Sequence, residues 1–278
     1  MERVLKQLWR VAAAAVLLIL ISYVSFSVLN ASRVFPPADV PWLVLMAWFV
    51  LSCLLTAAVL VYVTVRSRWR GTQLMCAVFV AFFGIRTFVN ISQAFLLVPH
   101  VMTPPRAAVL AAHGFLVALV FSFVLVLVTG RLGATLVLES PRLHLPAREW
   151  LGKLVVCTVA YCGLSVLAQA GAAARLPDFY ARGGMVPWWE RAMLYTGRAL
   201  LLVAFVLPVV KMLKGGRREA ALAVGLLFCI LGGLVPLMVP GGTIEDAVRY
   251  TFMVTGGTTD LLYGLLVGYL FSREPARV

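Results

Sequence analysis

Eight long apolar stretches fill this 278-residue chain, at about 11–30, 42–65, 74–98, 107–129, 151–171, 191–210, 220–239 and 248–271. A helix needs about 20 mostly apolar residues to cross the hydrocarbon core of a bilayer. Inside that core every backbone N–H and C=O must be bonded internally, so each stretch is expected to be helical. The strands of a membrane β-barrel are shorter and alternate apolar with polar residues, and these stretches do not alternate. The expected fold is all-α: a polytopic transmembrane helix bundle with about eight spans, forming a single integral membrane domain over 1–278. Composition agrees. The chain is 62% apolar and 13% charged, against about 45–50% apolar for a soluble domain. Water alone could not solvate a fold with so much apolar surface.

The links between the stretches alternate in charge. One set of alternate links, with both termini, holds Arg3, Lys6, Arg10, Arg66, Arg68, Arg70, Arg131, Arg142, Arg148, Lys153, Lys211, Lys214, Arg217, Arg218, Arg273 and Arg277. The other set holds only Arg33, Arg106, Arg175, Arg182, Arg191 and Arg249. Short loops rich in Lys and Arg stay in the cytoplasm, so the first set and both termini are expected there. Arginine far outnumbers lysine, which fits a GC-rich genome and points to a bacterial inner membrane. Arg3, Lys6 and Arg10 precede an apolar run from Val11 to Leu29. That run is longer than a signal-peptide core and no small-residue cleavage site follows, so it reads as a retained first span.

The net charge of +13 does not suggest nucleic acid. The basic residues lie in short links between apolar runs rather than on one polar helix or stripe. They are expected instead to set topology and to meet anionic lipid headgroups. The five cysteines, Cys53, Cys76, Cys157, Cys162 and Cys229, all lie within apolar runs and form no CxxC pair. They are read as small apolar side chains, with no disulfide framework and no metal site. No cofactor is expected either. His100 and His144 sit in opposite links, so a haem held by two histidines across the membrane is not supported.

Landmarks recur about half a chain apart. Ser27-Val28-Leu29 matches Ser165-Val166-Leu167, and Val40-Pro41-Trp42 matches Val186-Pro187-Trp188. The basic link 66–70 matches 211–218, and Val98-Pro99 matches Val239-Pro240. The offsets fall between 138 and 146. They suggest two four-span halves, 1–140 and 141–278, in the same orientation. In such a parallel repeat a binding site lies where the halves meet.

Ionisable residues inside spans are costly and normally face the bundle interior. Asp260 is the one acid deep in a span, and Arg86 and Arg198 are the two deep bases. Counting from the basic links at 1.5 Å per residue puts all three about 20–24 Å from that boundary, a common depth at which they can meet. His113 sits slightly further out. Arg86, Asn90 and Gln93 are spaced i, i+4, i+7, and so are Arg191, Tyr195 and Arg198, which predicts one face on each helix. Arg249, Gly256, Asp260 and Tyr263 share a stripe on the eighth span, with Thr255 and Thr259 close by. A polar cavity opening toward the less basic side is the expected result. Two arginines facing one aspartate leave a guanidinium uncompensated, and a carboxylate or phosphate ligand would complete the set. The simpler alternative is an Arg–Asp pair that only locks helices together, with Asn, Gln and Thr bonded across helices.

Gly264 and Gly268, with Gly256-Gly257, predict close helix contact on the eighth span. Gly232-Gly233 with Pro236 predict a break or bend in the seventh helix, and Pro208 a kink in the sixth. The outer link 172–190, with Pro177, Asp178, Tyr180, Trp188 and Trp189, reads as a headgroup anchor or as a short lid. No HExxH, paired-glutamate, DxxxD or phosphate-loop motif is present.

Three functional readings remain open. The first is a multi-pass protein that binds or transports a small anionic or amphiphilic ligand, with Arg86, Asn90, Gln93, His113, Tyr195, Arg198 and Asp260 lining the site. The second is a sensor or regulatory subunit that signals through a membrane or cytoplasmic protein partner. The third is an integral-membrane enzyme acting on a lipid or isoprenoid, with His113 and Asp260 as an acid–base pair.

Overall fold

A computed structural model describes residues 2–29, 40–97, 102–133, 147–182, 187–240 and 245–272. Arg33, Val98, Pro99, His100, Arg142, His144, Val186, Arg273 and Arg277, used above, lie outside the described residues. The chain is a bundle of long helices: α1 (Glu2–Val28), α2 (Trp42–Val65), α3 (Gly71–Ala81), α4 (Val89–Leu97), α5 (Pro104–Val128), α6 (Ala147–Arg175), α7 (Pro177–Arg182), α8 (Trp188–Met212), α9 (Arg217–Leu227), α10 (Val235–Met238) and α11 (Asp246–Phe271). A π-helical segment, Phe82–Phe88, joins α3 to α4 into one continuous third span. A second, Phe228–Leu234, joins α9 to α10 into the seventh. The remaining spans are α1, α2, α5, α6, α8 and α11.

Seven of the eight are long and apolar enough to cross a membrane. The eighth, α11, has the length at 26 residues. It falls below the other seven in apolarity because Thr255, Gly256, Gly257, Thr258, Thr259 and Asp260 occupy its middle. It nevertheless packs along the seventh span and against the fifth. The protein is a multi-pass, all-helical membrane protein.

The basic links converge on one end of the bundle, as the charge pattern predicted. Arg10 of α1 donates to the carbonyl of Thr129 after α5, at 3.1 Å. The Arg131 guanidinium donates to the carbonyls of Val65 and Ser67 after α2. Gly71 N–H donates to the Arg131 carbonyl at 2.7 Å. Gly71 has φ +54°, and a Cβ there would lie 3.1 Å from the Gly133 carbonyl, so this joint requires glycine. Arg66 and Glu219 form a two-pronged pair at 2.7 Å that ties α2 to α9. At the same end the Phe271 ring lies 5.1 Å from Trp150.

The packing in the two halves corresponds, helix by helix. α1 packs on α2 and α5, and α6 packs on α8 and α11. The third span packs on α5, and the seventh on α11. Between halves, α3 packs on α8 and α9 on α2. The two π-helical segments begin 146 residues apart and touch each other. Ser67 and Leu213, also 146 apart, form an isolated antiparallel bridge, with Arg68 N–H on Met212 O at 2.6 Å and Lys214 N–H on Arg66 O at 3.0 Å. An antiparallel bridge is locally two-fold symmetric.

The seventh and eighth spans approach at glycine, as expected. A Cβ on Gly264 would come within 2.7 Å of Gly225 Cα, and one on Gly268 within 2.5 Å of the Ala220 carbonyl. Gly233 and Gly257 meet in the same way, at 2.5 Å. The predicted disturbance at Gly232-Gly233 is the second π-helical segment. Pro208 lies inside α8, which remains helical to Met212.

Candidate functional site

The sixth span carries Arg198 into a closed polar network. Arg198 is 9% exposed and Asp260 1%. Arg198 Nη2 lies 2.9 Å from Asp260 Oδ2 and 3.5 Å from the Gly232 carbonyl. Its Nη1 donates to Asn90 Oδ1 at 3.2 Å and to Gln93 Oε1. The Tyr161 hydroxyl donates to Asp260 Oδ1 at 3.3 Å. One guanidinium therefore joins residues of the third, sixth, seventh and eighth spans, and Tyr161 adds the fifth. Only Nε of Arg198 lacks a partner among the described residues.

Local structure makes these contacts possible. A π-helical turn leaves carbonyls without their usual donors. Asn90 Nδ2 supplies hydrogens to the carbonyls of Ile85 and Arg86, both at 3.0 Å, and reaches Leu231 O at 3.5 Å. Its amide thus bridges the two π-helical segments while its oxygen holds Arg198. Gly232 gives the carboxylate room: a Cβ there would stand 2.8 Å from Asp260 Oδ2.

Arg86 is not part of this network. It lies in the first π-helical segment and is partly buried, with its guanidinium 5.4 Å from the centre of the Phe82 ring. It forms no ion pair with any carboxylate among the described residues. The π-helical segment that carries Arg86 packs on α5, the helix of His113. His113 Nδ1 lies 3.0 Å from Ser25 Oγ on α1, and its ring meets Phe26 edge-on at 6.1 Å. Ser22, one turn before Ser25, has a buried hydroxyl without a partner among the described residues. Arg86 thus lies apart from the Arg198 network, on a segment that packs against α5.

The single constellation expected from depth is therefore two clusters. Arg198, Asp260, Asn90 and Gln93 come together, and the Tyr195 ring lies beside them, 6.5 Å from Tyr161. Arg86 and His113 belong to the other cluster, and His113 bonds Ser25 rather than Asp260. The stripe of Arg86, Asn90 and Gln93 does not hold as one face, because the π-helical segment changes the angular phase between Arg86 and the residues after it. Sequence reasoning missed Tyr161. Its signal was a tyrosine well inside the fifth span, away from the headgroup level where tyrosine is usual.

The outer arginines are occupied as well. Arg249, 4% exposed, pairs with Asp246 at 2.8 Å and donates to the carbonyls of Leu237 and Met238 that end the seventh span. Arg191 donates to Gln169 Oε1 at 3.2 Å. The surface has a hollow along Leu5, Leu8, Trp9 and Ala12 and another between the third and sixth spans. Neither is lined by the residues of the two clusters. No protein-family model, no curated protein and no solved structure matches this chain.

Proposed function

We propose that this protein binds a small anionic or amphiphilic ligand within the bundle and that Arg86 holds the anion. One observation carries this reading: of the two deep guanidiniums, Arg198 is compensated by Asp260, Asn90, Gln93 and the Gly232 carbonyl, and Arg86 has no carboxylate among the described residues. A cation in a low-dielectric interior is costly unless an anion or several acceptors meet it. Guanidinium recognises carboxylate and phosphate through two parallel hydrogen bonds. His113, Ser25 and Ser22 supply further polar atoms on the facing helices. Asn90, Gln93, Tyr195, Arg198 and Asp260 then act as the wall that joins the two halves, next to the ligand rather than on it.

The correspondence between halves favours transport over passive binding. We read the chain as a tandem duplication of four spans, with equivalent positions 146 residues apart at the Ser67–Leu213 bridge. Parallel repeats of this kind place their substrate at mid-membrane and work by rocking one half against the other. The basic end faces the cytoplasm in this reading, the membrane is a bacterial inner membrane, and both termini are cytoplasmic.

The test is a melting screen of the purified protein against small carboxylates, phosphates and sulfonates. A ligand that raises the melting temperature of wild type and of Arg198→Lys, but not of Arg86→Gln, supports the assignment. Equal stabilisation of Arg86→Gln by that ligand removes it.

A further inference from the structure

We propose that the groove between the third and sixth spans at the basic end binds one anionic phospholipid. Ala77, Val80, Ala204, Leu207 and Pro208 line its length. Trp69, Gln73 and Lys211 stand at the end toward the basic links, and Cys76 lies on the rim. The hollow measures about 460 Å³.

Four physical features select a lipid over a water-soluble ligand. The groove lies on the flank of two membrane-crossing helices, so it opens toward acyl chains. From Gln73 to Val80 it follows the third span for seven residues, about 10 Å at 1.5 Å per residue. That is about a third of a 30 Å hydrocarbon core, within the depth of a single leaflet. Ala77 and Ala204 face it with methyl groups only, which leaves room for a chain. Indole, amide and ammonium groups gather where a headgroup would sit, matching the usual depth of Trp and Lys in membranes.

Charge selects an anionic headgroup. Lys211 contributes its ammonium to the groove. Behind it, Arg66, Arg68, Arg70 and Arg131 gather at the same end, where Glu219 pairs with Arg66. The crowding registers at Lys214. Burial, and then the charges of Arg131, Arg70, Arg68 and Arg66, hold its ammonium below the ordinary value. A phosphate at the groove mouth relieves that repulsion, and each such cation strengthens lipid attraction. This site is separate from Arg86 and stands whether or not that assignment does.

Native mass spectrometry of the full chain, titrated with phosphatidylglycerol or phosphatidylcholine, reads the site directly. Wild type is expected to keep one phosphatidylglycerol at energies that strip phosphatidylcholine. Lys211→Gln should weaken that adduct about five-fold, Ala204→Trp should remove it, and Arg175→Gln, at the opposite end, should leave it intact. Alkylation of Cys76 on the folded protein should also displace the lipid, and it does so without any demand on folding. Equal retention of both lipids overturns the proposal. So does an adduct that survives both Lys211→Gln and Cys76 alkylation. A benzophenone placed on Cys76 in native membranes should capture lipid; capture of a second protein chain instead would overturn it.

Discussion

Arg198 and Arg86 are the same side chain at similar depth, one in each half of the bundle, and their surroundings differ in kind. Arg198 meets a carboxylate, two side-chain amides and a backbone carbonyl, and the carboxylate has a tyrosine hydroxyl of its own. Arg86 meets an aromatic face and no carboxylate among the described residues. The first arrangement satisfies itself and holds five spans in register. The second leaves its guanidinium without an ion pair among the described residues. A cation's chemistry in a membrane is therefore set by the acceptors its neighbours bring, not by its own position along the helix.

The largest expected effect lies in the closed network. Asp260→Ala strands Arg198 and should lower unfolding stability by about 3–5 kcal/mol, read in detergent by thermal or denaturant melting. The double change Asp260→Leu with Arg198→Met removes both charges and should recover most of that loss. A double variant as unstable as the single one would show that the pair does more than satisfy itself.

A smaller effect is expected where backbones touch. Gly264→Val forces a side chain into the Gly225 Cα and Val224 carbonyl, both 2.7 Å from the new Cβ, and should cost about 1–3 kcal/mol. Gly256, whose Cβ would meet open space, is the control: Gly256→Ala should melt like wild type.

Arg86→Gln sharpens the contrast most directly. Without ligand it should melt at or above the wild-type temperature, because it removes an uncompensated charge. A loss as large as that of Asp260→Ala would mean that Arg86 has a partner of its own, and the distinction between the clusters would collapse. The smallest effect belongs to the exposed end. Arg66→Ala removes the Glu219 pair and should cost about 0.2–1 kcal/mol, less at high salt.

Much of this was legible in the chain. The eight apolar runs and the alternating charge of the links gave the helices and the shared basic end, because length and polarity alone decide what a bilayer accepts. Close contact at Gly264 and Gly268 was legible for a similar reason: a missing side chain on an apolar helix has few uses other than contact. Depth was also readable, since rise per residue is constant, and it brought Arg198 and Asp260 together correctly.

Angle was not readable. The π-helical segment at Phe82–Phe88 inserts a phase shift that no local pattern marks, so Arg86 and Asn90, spaced as neighbours on one face, serve different clusters. Asn90 looked like part of a ligand face, and the structure uses its amide to cover carbonyls that only π-helical geometry exposes. Tyr161 joined the network from a helix with no deep acid, base or histidine, and sequence spacing carries no information on which helices become neighbours. The sequence by itself determined the solvent, the helices and the depth of each charge, because these follow from polarity and rise. Only the tertiary structure decided which guanidinium is paired and which has no carboxylate among the described residues, because that depends on helix rotation and on partners far away in the chain.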